Sequence, residues 1–249
     1  MHGKKILVFI SCFAHGGAEK QGILLARHLQ SEGYGVEVWG FPSQISDPSL
    51  KRQLDRWHIA HRELPRLPSL HWRFPHDRLP LGFLYRQYWD WQVALFGFFF
   101  PRGAFDVVVP FTFWPCLAAS LMQRKLQARK VLWNHRGGLD DAGMSYTPML
   151  VEQILRRRPV FMANSSAGVQ FLRQVFSLNA DAVHLVRNAY APDEGEDTPG
   201  FDPHRAERPV TNLLHLANFF PEKDAGTLLE GVRLLKASGI RCQLHLAGS

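Results

Sequence analysis

Short apolar, β-prone runs alternate with segments of helical period along almost the whole chain. That alternation restricts the fold to a parallel sheet with helices on its faces. Ile6 to Ile10 is a nearly continuous β-prone run, the pattern of a strand covered on both sides. From Lys20 the apolar residues Ile23, Leu24, Ala26 and Leu29 recur at helical spacing, Gly33 closes the helix, and Val36 to Trp39 reads as a second strand. The first forty residues therefore form one β-α-β unit. Strands are expected again at 105–109, 130–133, 159–163 and 183–186. Helices are expected at 115–128 and 145–157, and from a first turn at Ser165-Ser166 to about Phe176. The fold class is α/β, a doubly wound, Rossmann-like parallel sheet over residues 1–191.

Residues 192–209 are rich in Pro, Gly and acid and read as a linker. A fresh unit follows within 210–249: strand from Asn212 to Ala217, helix from Ala225 to Ala237, strand from Cys242 to Leu246. One β-α-β unit leaves an edge and a face uncovered, so the expectation is an incomplete second Rossmann-like domain in a truncated chain. The apolar run after Lys4-Lys5 is too short for a signal segment, and the eight residues Val93 to Phe100 fall far short of the roughly 20 that a membrane helix needs. Three cysteines, Cys12, Cys116 and Cys242, without a C-x-x-C pair, argue against a disulfide scaffold or zinc finger and fit a reducing, cytoplasmic setting. The net charge of +7 is uneven: residues 1–191 carry the basic excess and residues 192–249 are net acidic. The first part is thus where an anionic partner is expected.

Three motifs fall where strands hand over to helices. Gly16-Gly17, followed by Glu19, lies between the first strand and helix, where backbone amides and the positive helix end can hold an anion. It lacks the three-glycine dinucleotide fingerprint, which disfavours nicotinamide and flavin cofactors, and a plain tight turn is the other reading. Asn134-His135-Arg136, before Gly137-Gly138, is expected just past the carboxyl end of a central strand, the edge where open α/β sheets bind ligands. Asn218 to Asp224 opens the last helix. Lys223 there opposes the helix dipole, which suits a docked anion, or else it faces solvent offset by Glu222 and Asp224. His58, His61, His71 and His76 have no neighbouring cysteines, their spacing does not suit ligation, and no metal is expected.

Taken in order, these motifs resemble the retaining, GT-B-fold glycosyltransferases of the family 4 type. The resemblance rests on Gly16-Gly17-Ala18-Glu19, on His135, and on Phe161 to Ser165 leading into a helix. It continues in Val186-Arg187-Asn188-Ala189, and in Glu222-Lys223-Asp224 followed by Thr227-Leu228-Leu229. It implies an N-terminal domain that binds the acceptor and a C-terminal domain that binds a nucleotide-diphosphate sugar as donor substrate, with no further cofactor. The Gly16-Gly17 loop would approach the reacting centre and His135 would contact the donor sugar. Glu19, Asn134, Arg136 and Asn188 would line the substrate site, and Lys223 would neutralise the leaving diphosphate. Asn218, placed with Lys223 at the donor diphosphate, stands where the family often has an arginine, and the family's glutamate pair has no counterpart in these 249 residues.

The segment 72–105 concentrates aromatics, including Trp89, Trp91, Phe98, Phe99 and Phe100, with Arg73, Arg78, Arg86 and Arg102 interleaved. It suits either an anionic bilayer surface or the core of the acceptor domain. The positive charge lacks any nucleic-acid recognition motif. The expectation is a sugar transferase for polysaccharide, lipopolysaccharide or glycolipid assembly, peripheral at the inner face of the cell membrane and inactive as residues 1–249 alone. The alternative is a noncatalytic acceptor-binding subunit with its donor domain on a separate polypeptide.

Overall fold

The structure is a computed structural model, and it describes residues 3–14, 16–44, 47–67, 82–136, 146–189, 210–217 and 223–248, of which 82–85 by backbone alone. The chain divides into two compact units, Met1–Ala191 and Pro192–Ser249. The segment 192–209 read as a linker lies outside the described residues.

In the first unit, seven strands form one parallel sheet: β1 (Lys5–Ile10), β2 (Gly35–Gly40), β3 (Ala60–Glu63), β4 (Val107–Pro110), β5 (Lys130–His135), β6 (Val160–Ala163) and β7 (Val183–Leu185). Their order is β3-β2-β1-β4-β5-β6-β7. The chain builds outward from β1 to β3, then returns to lay β4 on the other side of β1, so the order reverses between β1 and β4. In register, Ile6 sits opposite both Val36 and Val107. Helices α1 (Gly17–Ser31) and α2 (Pro48–Arg56) cover one face, and α3 (Gly82–Phe99), α4 (Phe113–Leu121), α5 (Pro148–Leu155) and α6 (Ser166–Val175) supply the other.

Strand alternation sorts the core. Ile6, Val8 and Ile10 of β1 join Ile23 and Ala26 of α1 with Leu50 and Leu54 of α2 on one face. Leu7 and Phe9 point to the other, with Leu117 of α4, Ile154 of α5 and Leu172 of α6. Local signals end the helices as their residues demand. Gly33, at φ 84°, provides the left-handed residue just past α1. Asp47, Thr147 and Ser165 cap α2, α5 and α6 by accepting the amide protons of Ser49, Leu150 and Gly168.

Several boundaries differ from the sequence reading. Strand β5 runs on through Asn134 and His135, because both continue the parallel ladder with β6. The helix expected over 115–128 ends at Leu121, where successive turns around Lys125 take over. Helix α2, strand β3 and helix α3 were not anticipated, and α3 divides the aromatic segment. Trp89, Phe96, Phe100 and Phe105 are core, whereas Tyr88, Trp91, Phe98 and Phe99 are exposed. His71 and His76 lie outside the described residues, while His61 in β3 is half-buried against Phe13. Among the described residues, no helix is long and apolar enough to cross a membrane.

The second unit contains β8 (Thr211–Leu216), α7 (Ala225–Ala237) and β9 (Cys242–Ala247), with β8 and β9 paired in parallel.

Candidate functional site

The helices return each time to the amino edge of the sheet, so every strand-to-helix loop lies at the carboxyl edge. The first group of candidate residues gathers where the strand order reverses. Ser11, just after β1, brings its Oγ to 2.5 Å from Thr112 Oγ1, just after β4. Ser11 also hydrogen-bonds the Glu19 carboxylate from below the first turn of α1. An ionised carboxylate only accepts, and a hydroxyl has one proton to give. Thr112 therefore donates to Ser11 and Ser11 to Glu19. Thr112 holds this place at φ 69°, an uncommon conformation for a β-branched residue and a mark of local strain. Burial pushes the Glu19 carboxyl above its ordinary range, opposed by the bonds from its own amide and from Ser11.

The two glycines of the loop serve different ends. A Cβ on Gly16 would lie 2.0 Å from Glu19 Oε2, so the carboxylate folds back over Gly16 and needs its bare backbone. Gly17 faces open space. Its amide belongs to the exposed first turn of α1.

A second group forms at the ends of β5, β6 and β7. Arg136 donates from Nε to Asn134 Oδ1 at 3.0 Å and from Nη1 to Asn188 Oδ1, and its guanidinium lies 4.9 Å from the centre of the Phe111 ring. Asn164 donates to the same Asn188 oxygen at 3.3 Å. Burial lowers the guanidinium pKa from its usual range. Asn134 Nδ2 is buried without a hydrogen-bond partner among the described residues. Asn134 and Arg136 border a groove of about 710 Å³ between α1 and the half-buried Val107, Leu132 and Met162 of the sheet. Gln21 of α1 closes one end, donating to Ala189 O at 2.7 Å and accepting from Ala189 N at 2.8 Å.

His135 does not join this group. Adjacent strand residues point to opposite faces, so Asn134 faces α1 and His135 faces α6. Its ring stacks on Phe171, centroids 5.0 Å apart at 23°, and is only 4% exposed. Gly168 allows the approach, since a Cβ there would meet His135 Cδ2 at 3.2 Å. Between β1, α3 and α4, on that same face, Ser11, Cys12, Arg66, Phe96 and Trp114 line a cleft of about 510 Å³.

In the second unit Lys223 is exposed and has no ion pair among the described residues. Asp224, the N-cap of α7, accepts from Thr227 N at 3.1 Å and Thr227 Oγ1 at 2.6 Å, and those bonds lower its pKa. Asn218 and Glu222 lie outside the described residues. The sequence reading missed Ser11, Thr112, Gln21 and Asn164. The first two lie just past the carboxyl ends of expected strands, Ser11 one residue after β1 and Thr112 two after β4.

The Glycosyltransferase Family 4 profile matches residues 15–194, which span the Gly16-Gly17 loop, the Arg136 group and all strands from β2 to β7. The chain belongs to Glycosyltransferase Family 4. No curated protein matches it. Among solved structures, this family member is similar to Acinetobacter baumannii MurG, at 16% identity and TM-score 0.45, over 99% of this chain and 66% of that one. It is also similar to Arabidopsis thaliana UGT89C1 complexed with UDP, at 16% identity and TM-score 0.43, over 86% and 58% of the two chains. The UGT89C1 complex with UDP-L-rhamnose matches at 15% identity and TM-score 0.48, over 98% and 65%. The chain spans less than two thirds of the length of each.

Proposed function

We propose that this chain serves the transfer of a sugar from a nucleotide-diphosphate sugar to a polysaccharide, lipopolysaccharide or glycolipid acceptor, with retention at the anomeric carbon, beside the inner face of the cell membrane. The observation that carries the reading is the family match across residues 15–194 joined to the polar groups at one sheet edge. In this reading the first unit holds the acceptor. The guanidinium of Arg136 and the amides of Asn134 and Asn188 offer directional hydrogen bonds to sugar hydroxyls, and the buried, unpartnered Asn134 Nδ2 supplies a donor already stripped of water. Glu19 and the Gly17 amide approach the reacting centre. The resemblance assigns the donor sugar to His135, whose ring, stacked on Phe171 and 4% exposed, leaves little surface for that contact. Lys223, exposed before α7, offsets the charge growing on the departing diphosphate.

The sequence has no counterpart of the donor-holding glutamate pair implied by the resemblance, so residues 1–249 alone bind acceptor without completing transfer. The test is twofold. Ligand-observed NMR of a glycan and glycolipid mixture should show binding to the wild-type chain that Arg136→Ala weakens at least roughly tenfold, about 1.4 kcal/mol. Radiolabelled nucleotide sugars with membrane lipid extract should give no labelled product. Absence of any glycan binding by folded protein would overturn the acceptor reading, and labelled product would overturn the inactivity.

A further inference from the structure

Parallel strands with returning helices put the C-terminal ends of α3, α4 and α5 at the amino edge of the sheet, opposite the candidate site. This edge collects charge. Arg124, from the turns after α4, and Arg156, Arg157 and Arg158, after α5, line one cleft of about 540 Å³ together with glutamines and Ala128, and among the described residues no carboxylate lines it. Glu152 pairs with Arg156 from one turn earlier in α5, and Arg129 pairs with Asp106. Burial, and then the nearby Arg124, lower the Arg157 guanidinium from its usual range. Basic residues at a helix C-terminus favour the dipole. Four arginines on one cleft, with Arg124 close enough to act on Arg157, are more than one helix end requires.

Apolar surface adjoins the charge. Lys125, next to Arg124, donates to the carbonyls of Gly97 and Phe98, the latter at 3.1 Å, tying the end of α3 to the arginine-bearing turn. Phe98 is 78% exposed and Phe99 51% exposed there. Trp91 is exposed on the same side of α3, two helical turns earlier, and stacks with Tyr88 at 6.2 Å between centroids. Arg102 lies near enough to Lys125 to lower its ammonium pKa further after burial has done so.

We infer that this amino edge is a docking surface for a bilayer containing anionic lipid, with headgroup phosphates in the arginine cleft and Phe98 and Phe99 at the acyl boundary. The arginines match the phosphates in charge and fork geometry, and the aromatics beside them distinguish a bilayer from a merely polyanionic partner. The inference rests on the membrane-side placement proposed above and is independent of sugar transfer. It stands the carboxyl edge about 20 Å from the headgroups, the length of a six-residue strand such as β5. A membrane-borne acceptor thus reaches the site through its glycan rather than its lipid.

The test is co-sedimentation of the 249-residue chain with phosphatidylcholine vesicles, with and without phosphatidylglycerol, over a salt series. Binding should require the anionic lipid and weaken with salt. R124Q/R156Q/R158Q, which spares Arg157 and its bond to Leu121 O, should weaken it about fivefold for each arginine removed. F98S/F99S should weaken it at least threefold, with both variants unfolding at the wild-type temperature. Anionic-vesicle binding that neither variant changes would keep the membrane reading and overturn this surface. Absence of wild-type binding at low salt would overturn both. Binding to a single-stranded oligonucleotide that depends on the arginines, with vesicle binding indifferent to F98S/F99S, would also overturn it.

Discussion

Ser11 Oγ and Thr112 Oγ1 stand 2.5 Å apart across the place where the strand order reverses. With Glu19 they form a directed chain, Thr112 to Ser11 to Glu19, that closes the crevice between β1 and β4 and turns the carboxylate onto Gly16. Ser11→Ala removes the middle link. Since the Ser11 bond lowers the Glu19 pKa, the variant should raise it further. NMR titration of the Glu19 side-chain carboxyl carbon should show an upward shift, and an unchanged midpoint would mean that the bond is not made in solution.

The sign of the associated pH dependence follows from burial. The folded-state pKa of Glu19 is raised, so its contribution to stability is fully present below the unfolded value, about 4.3, and is lost as pH rises through the folded value. Glu19→Gln cannot ionise. Wild type should lose stability relative to this variant over that rise and run parallel to it at lower and higher pH. Parallel unfolding curves over the whole range would show that Glu19 carries no raised pKa.

Three glycines within seven residues should answer differently to alanine. At Gly17 nothing lies within 4 Å, and the change should be neutral or stabilise α1 by up to about 1 kcal/mol. At Gly16 the new methyl displaces only the flexible end of Glu19, so stability should fall by less than about 1 kcal/mol while the Ser11 bond is lost. At Gly22, the buried contact between α1 and β1, the methyl would meet Ile10 Cγ2 at 2.6 Å and should cost about 1–3 kcal/mol. Thermal unfolding ranks the three.

What the sequence made legible was the alternation, because a buried parallel strand and an amphipathic helix each leave a periodic signature. That is why Ile6 to Ile10 and Ala225 to Ala237 appear where expected. Helix α3 was obscure for a physical reason. Its aromatics face both core and solvent, so Trp89 and Trp91 give no period. The site was legible as an edge, not as a constellation. Asn134-His135-Arg136 is contiguous in sequence, and the pleat sends His135 to Phe171 while Asn134 and Arg136 face α1. The Gln21–Ala189 pair joins positions 168 residues apart, and nothing local in the sequence announces it.

That pair fixes the segment leaving β7. Gln21→Ala removes both bonds to the Ala189 backbone, and because they are exposed the stability cost should stay near 1 kcal/mol. The larger effect should be local. Hydrogen exchange at the Ala189 amide should accelerate at least roughly tenfold while β5 amides keep their protection. Unchanged exchange at Ala189 would show that the clamp does not hold the segment.

Arg136→Lys separates charge from geometry at the second group. Arginine uses Nε for Asn134, Nη1 for Asn188 and the flat of its guanidinium for Phe111, three contacts in fixed relation. An ammonium group keeps the positive charge but cannot reproduce that fork. Asn188 would retain only Asn164, at 3.3 Å, and Asn134 would lose the donor to Oδ1 while Nδ2 stays buried and unpartnered. A loss of about 2–3 kcal/mol is expected, from two charged hydrogen bonds, one of them exposed, and the newly unsatisfied oxygen of Asn134. Glycan binding should fall at least roughly tenfold even though the net charge is unchanged. Unfolding and ligand-observed NMR on the same sample decide the matter. Wild-type stability and wild-type glycan binding together would mean that only the charge at position 136 matters.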